Sequence, residues 1–235
     1  ANPLGSASGF GVNLNLDREF CTQQLGFDRT QQIATYAQLS RGKYEIAALD
    51  ALLAAMGDLR RLAWDISLFT SSEFGFVLLP AEYLTGSSLM PNKRNPDLIE
   101  LLRASYATVS GARAELEQLL SLPSGYHRDL QFTKAPVMRG FSHGLAALAL
   151  LPDLLASLQW NESAINDAIE PSMHSTDLAL ELSVLGIPFR EAYKKAADPE
   201  LWENRKAVDS LKVRVSEGSG VNLGLNKLRL RLSDL

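Results

Sequence analysis

The chain has 235 residues, 46% of them hydrophobic and 21% charged, with a formal net charge of −4. That is an ordinary globular composition, without the basic excess of a nucleic-acid binder or of a protein held on an anionic membrane. No apolar run approaches the roughly 18 residues of a membrane-crossing segment; the longest, Gly144 to Leu151, stops at Pro152 and Asp153.

Taken in order, residues 1–30 are rich in Gly, Ser and Asn and read as loop with a short helix. The start, Ala-Asn-Pro-Leu-Gly, carries no basic and apolar leader. It reads as a processed start or as part of a longer chain. The lone cysteine, Cys21, has no partner for an internal disulfide, which fits a reducing, cytoplasmic setting. It reads as a small buried or half-buried apolar residue. From Tyr44 to Phe69 the apolar positions Ile46, Leu49, Leu52, Met56, Leu59, Ala63, Ile66 and Phe69 recur at steps of three and four. This spacing predicts one helix about 39 Å long. A second helix is expected to follow the loop at residues 85–95, with Asn95 as N-cap, Pro96 in the first turn and Asp97 at the positive end of the dipole. It carries apolar residues through Leu119 and Leu120 and should stop before Pro123. A third helical run is expected from about Arg139 to Leu158, kinked at Pro152. Shorter helices are expected over Thr176 to Leu185 and Arg190 to Ala197, with a loop-like tail from Ser216 to Gly224. No strand is predicted. The fold class is therefore all-α: a long-helix bundle over residues 1–158, then a small helical domain over 159–235.

The stretch Thr85 to Glu100, TGSSLMPNKRNPDLIE, interrupts this helical pattern. It is not a phosphate-binding P-loop, because Pro91 stands five residues after Gly86 and Arg94 follows Lys93, with helices on both sides. What remains is a small-residue turn with two hydroxyls at Ser87 and Ser88, an ammonium group at Lys93 and the start of a helix, whose free N–H groups attract anions. Such a set could hold a carboxylate against a hydroxyl. It could equally be a solvated serine-rich loop leading into an ordinary helix cap.

The run Gly86-Ser-Ser-Leu-Met-Pro-Asn-Lys-Arg-Asn95 resembles the G-S-S-x-M-P-x-K-x-N signature of the fumarase/aspartase superfamily. Ser71-Ser-Glu-Phe-Gly-Phe-Val resembles the family's approach to that loop. Leu122-Pro-Ser-Gly-Tyr-His-Arg-Asp-Leu-Gln-Phe-Thr-Lys134 resembles a segment found in the argininosuccinate lyase family, and so do Ser175 to Ala179 and Gly186 to Ala192. The resemblance implies an all-α lyase that releases fumarate and arginine from argininosuccinate, without metal or other cofactor. By position it implies Ser87 as the base and Lys93 as the stabiliser of developing charge. It also implies Asn95 and Ser88 at the substrate, and Tyr126, Gln131 and Lys134 at its arginine side. It further implies a homotetramer whose active sites are shared between subunits, with no nucleic-acid or membrane partner.

Some positions depart from the family pattern. Asn92 stands where Gln is common, and Thr35 to Lys43, which includes Arg41, matches only loosely. The family's N-terminal regions, one of them bearing a His-Thr-Gln-like motif, have no counterpart here, so the chain reads as the central and C-terminal part of such an enzyme. A separate chain could supply the rest. His127, His143 and His174 read as surface or satisfied structural residues. Another fumarate-releasing lyase of the superfamily, or a non-catalytic crystallin-like relative, remain open as alternatives.

Overall fold

A computed structural model describes residues 1–121, 125–202 and 204–234. They form two compact units, Ala1–Trp160 and Asn161–Leu235. The expected stop at Pro123 lies outside the described residues.

In the first unit, two short helices, α1 (Arg18–Gln24) and α2 (Tyr36–Leu39), precede the long helices α3 (Lys43–Phe69) and α4 (Asp97–Leu119). A 3-10 turn, Arg128–Thr133, leads into α5 (Lys134–Ala149), which is followed by α6 (Leu151–Ser157). The stripe read from the α3 sequence is the buried one: Leu49, Leu52, Met56, Leu59, Ala63 and Ile66 are all enclosed. They pack on Ile99, Leu102, Val109, Ala112 and Leu116 of α4 and on Ala147 and Leu154. Burying side chains of this size contributes about 1.5–3 kcal/mol each, which holds the helices together more firmly than intrinsic helix propensity does.

Side-chain pairs give the helix directions. Asp50 meets Arg113 at 3.0 Å, Arg60 stacks over Tyr106, and Arg103 stacks over Trp64. Partners rise along α3 as they fall along α4, so the two helices are antiparallel. Arg139, near the start of α5, pairs with Glu115, near the end of α4, so α5 runs antiparallel to α4 and alongside α3. Glycines let α5 approach α3 closely: a Cβ at Gly140 would lie 2.8 Å from Leu49 Cδ2, and one at Gly144 would lie 2.7 Å from Leu52 Cδ2.

The apolar stripes of α3 and α4 therefore largely cover each other. Trp64 and Leu68 of α3, Leu101 of α4, and Met138 and Leu145 of α5 remain exposed. The third helical run starts earlier than expected and breaks at Leu150, because Pro152, in the first turn of α6, has no N–H to continue the ladder. Taken as one run, Arg128–Ser157 is long and apolar enough to cross a membrane by length and composition alone. Scattered polar residues such as Ser142 and His143 keep any uninterrupted apolar run short, and the helices pack in the bundle through Gly140, Gly144, Ala147 and Leu154. One small antiparallel pair of strands also occurs, β1 (Val77–Leu78) with β2 (Gln159–Trp160), in a chain where no strand was predicted. Two residues per strand are too few for a period-two pattern to register.

The second unit contains α7 (Glu162–Asp167), α8 (Ser175–Val184), α9 (Phe189–Lys195), α10 (Ala207–Val213) and α11 (Leu225–Ser233). Leu178, Ala179 and Ala196 form its buried centre, with Leu182 and Trp202 against them. The Trp202 indole N–H donates to the Ala196 carbonyl at 2.9 Å. Arg205 grips Glu181 with two parallel N–H···O bonds of 2.8 and 2.6 Å. The Arg205 guanidinium holds the Glu181 carboxyl below its usual pKa, and Glu181 raises that of Arg205. Asp177, almost fully enclosed, pairs with Arg214 at 3.1 Å and accepts from the Ser210 hydroxyl. Helices α10 and α11 were not expected from sequence; each is short, and Leu-Arg alternation in Leu228 to Leu232 hides the helical period of the last.

Candidate active site

The loop ahead of α4 is closed at its base by backbone pairing. The Thr85 N–H donates to the Asn95 carbonyl at 3.0 Å, and the Asn95 N–H returns to the Thr85 carbonyl at 2.8 Å. The Thr85 hydroxyl also donates to the Asp97 carboxylate in the first turn of α4. This ties the loop ends to the helix start while residues 86–94 project outward. The pairing corrects one expectation: Asn95 is not the N-cap of α4. The helix begins at Asp97, Pro96 holds the cap position, and no side chain caps it. The main chain of Asn95 is committed to Thr85, which keeps it out of the helix.

Inside the loop, Ser87 Oγ accepts from the N–H groups of Leu89 and Met90, each at 3.2 Å. Two donors converging on one hydroxyl oxygen favour negative charge there, as an oxyanion hole does. Ser87 and Asn95 are half-buried, whereas Ser88 and Lys93 are exposed. The Lys93 N–H donates to the Met90 carbonyl at 3.1 Å, so its main chain is folded back while its side chain stays open to solvent.

A second cluster joins three residues singled out in the sequence. Gln131 Nε2 donates to the Tyr126 hydroxyl oxygen at 2.8 Å, and Lys134 Nζ donates to Gln131 Oε1 at 3.3 Å. A fourth member was not assigned a role from sequence: the Arg41 guanidinium lies 5.1 Å from the centre of the Tyr126 ring. The Gln131 amide, and after it the Arg41 guanidinium, hold the Tyr126 phenol below its usual pKa. Arg41 sits in the turn between α2 and α3, 85 positions before Tyr126 in the numbering, and a local motif cannot signal a partner so distant. The signal present in the sequence is the loose match of Thr35 to Lys43, which includes Arg41, to the family pattern.

The two clusters occupy opposite ends of the bundle. The loop stands at the head of α4. Arg41 lies just before α3, Lys134 begins α5, and the helix directions put both at the tail of α4. With 23 residues, α4 spans about 35 Å. The structure thus brings Ser87, Ser88, Lys93 and Asn95 together at one end, brings Tyr126, Gln131 and Lys134 together at the other, and does not unite the two sets within one chain.

Two further expectations change. Cys21 is exposed rather than buried, because α1 is short and encloses only Thr22. His174 is buried, yet its Nδ1 has no hydrogen-bond partner among the described residues, which departs from the expected satisfied structural residue. His143 is exposed and His127 half-buried.

An all-α bundle of long helices has counterparts among solved structures. A class II fumarase from Schistosoma mansoni superposes with a TM-score of 0.66 at 18% identity, over 92% of this chain and 50% of that one. At that identity the likeness shows the fold. Residues 1–111, which include the loop, match a family described as lyase.

By sequence, the chain is 61% identical over 233 residues to an argininosuccinate lyase of Stenotrophomonas maltophilia, covering 98% of this chain and 54% of that protein. It is 58% identical over 237 residues to an argininosuccinate lyase of Xanthomonas oryzae, covering 100% and 55%. The chain thus spans about half the length of the curated relatives it matches.

Proposed function

We propose that this chain carries the signature-loop and arginine-side portions of an enzyme that cleaves argininosuccinate to arginine and fumarate. Identity near 60% to argininosuccinate lyases across both clusters carries the reading. In this reaction a proton leaves the carbon beside a carboxylate. Its electron pair forms the new double bond, and the guanidino nitrogen leaves the neighbouring carbon with the bonding pair and takes up a proton. The obstacle is the weakly acidic C–H, whose loss builds negative charge on the adjacent carboxylate.

In this reading Ser87 is the base. A serine hydroxyl suits that role only where its anion is stabilised, and the paired N–H groups of Leu89 and Met90 supply such a setting. Lys93 and Asn95 meet the substrate carboxylate as it gains charge, and Ser88 orients the loop around it. Tyr126, Gln131 and Lys134 hold the carboxylate or amino group of the arginine half.

The separation of the clusters, about 35 Å along α4, exceeds the reach of one small substrate. It supports a site assembled from several copies, with the loop of one subunit facing the Tyr126 cluster of another, as in a homotetramer. The exposed apolar residues Trp64, Leu101 and Met138 supply surface for such packing. The remaining half of the enzyme would come from further sequence of the same protein or from a separate chain.

The test is Ser87→Ala in the complete assembly, followed by fumarate release. Turnover should fall by about 10²–10⁴-fold, with substrate binding kept within a few-fold. An unchanged rate rules out Ser87 as the base. Far faster turnover of another amino-substituted succinate would overturn the choice of substrate.

A further inference from the structure

We infer that Arg41 is a positioning residue for the ligand end served by Tyr126: it turns the Tyr126 hydroxyl hydrogen outward, toward a carboxylate oxygen of the bound substrate. The ligand's identity rests on the function proposed above; the side-chain chemistry does not.

The polarity of the cluster follows from which groups can only donate. A lysine ammonium has no acceptor, so the Gln131 atom 3.3 Å from Lys134 Nζ is the amide oxygen. The amide nitrogen of Gln131 then faces Tyr126, and the contact of 2.8 Å makes the phenol oxygen an acceptor. The Arg41 guanidinium, also a pure donor, lies 5.1 Å from the centre of the Tyr126 ring, so its positive charge acts on the same phenol. A phenol oxygen has two acceptor positions and one hydrogen. Gln131 takes one acceptor position and the Arg41 charge repels the hydroxyl hydrogen, so among the described residues of the cluster that hydrogen faces away from both. The charged groups acting on this phenol are Arg41 from the turn before α3 and Arg128 from the 3-10 turn, with Lys134 at the head of α5 one residue further along the hydrogen-bond chain. All are cations, so the absent partner suited to this donor is an anion, and a carboxylate accepts such a hydrogen bond well.

Backbone geometry holds Arg41 in place. The next residue, Gly42, has φ +81, and a Cβ there would lie 2.2 Å from Leu120 Cδ2. The turn that carries Arg41 is therefore pressed directly onto the end of α4, close to the segment that bears Tyr126.

The experiment uses the complete assembly with Arg41→Met and Arg41→Lys. Tyrosine ionisation is followed by ultraviolet absorbance, and subtracting the same protein carrying Tyr126→Phe isolates the Tyr126 signal. Arg41→Met should raise the Tyr126 pKa, and Arg41→Lys should restore part of the shift. In steady-state kinetics, Arg41→Met should raise KM for argininosuccinate about 10–100-fold, the worth of one hydrogen bond to a charged group, with kcat changed far less. A Tyr126 titration unmoved by Arg41→Met overturns the inference, and so does a moved titration with unchanged KM. If the unsubstituted assembly does not turn over argininosuccinate, the proposed function fails; the titration then still decides whether Arg41 governs the Tyr126 hydroxyl.

Discussion

Gly42 and Leu120 occupy one another's space: no side chain at position 42 fits while Leu120 keeps its place at the end of α4. The backbone of Gly42 also lies in the left-handed region, which L side chains rarely adopt. Gly42→Ala therefore combines a strained φ with a steric collision. We expect it to destabilise the bundle by about 2–4 kcal/mol, read as a lower denaturant midpoint at unchanged slope. Retention of the parental midpoint would show that the turn relaxes at no cost, and that it does not press Arg41 onto the α4 end.

Met56 is fully enclosed at the centre of α3, facing α4 and α5. Met56→Ala should cost about 2–5 kcal/mol through lost burial and the cavity it leaves. Met56→Leu, which nearly conserves volume, should cost less than about 1.5 kcal/mol. Equal losses for the two variants, measured by chemical denaturation, would contradict this packing.

The Glu181–Arg205 pair predicts a pH dependence in the second unit. The folded pKa of Glu181 lies below its ordinary value of 4.5, with the Arg205 hydrogen bonds as the first cause. A depressed carboxyl pKa contributes stability that is fully present above the unfolded value and is lost as pH falls through the folded one. Melting temperature should therefore decline on acidification below about 4.5, and less steeply in Arg205→Met. Both side chains are partly exposed, so the effect should also shrink in high salt. Identical acid limbs for the two proteins would show that the pair makes no such contribution.

Short-range information accounts for much of the architecture. The three-and-four spacing of Leu49, Leu52, Met56, Leu59, Ala63 and Ile66 marks both the helix and its buried face, because residues at that spacing share a side whatever the neighbours are. The Gly-Ser-Ser-Leu-Met-Pro-Asn-Lys-Arg-Asn run marks the loop for a similar reason, since the motif lies in a contiguous stretch. Pro152 marks the break near Leu150 because a missing N–H acts locally.

Other features depend on residues far apart in the chain. Asn95 has the composition of a helix cap, but its backbone pairs with Thr85 across the loop, and that competing partner moves the helix start to Asp97. His174 is an unremarkable histidine by its neighbours, and only the surrounding packing leaves its Nδ1 without a partner among the described residues. The Tyr126–Gln131–Lys134 spacing is visible in the chain; Arg41 joins that cluster only because α3 and α4 run antiparallel and Gly42 lets the turn close on Leu120.

Local spacing thus determined the helices, their inner faces and the signature loop, because each depends on contacts within a few residues. Tertiary packing alone decided that Arg41 meets the Tyr126 ring: helix direction is set by which side chains meet across the bundle, and no short window of sequence contains both partners.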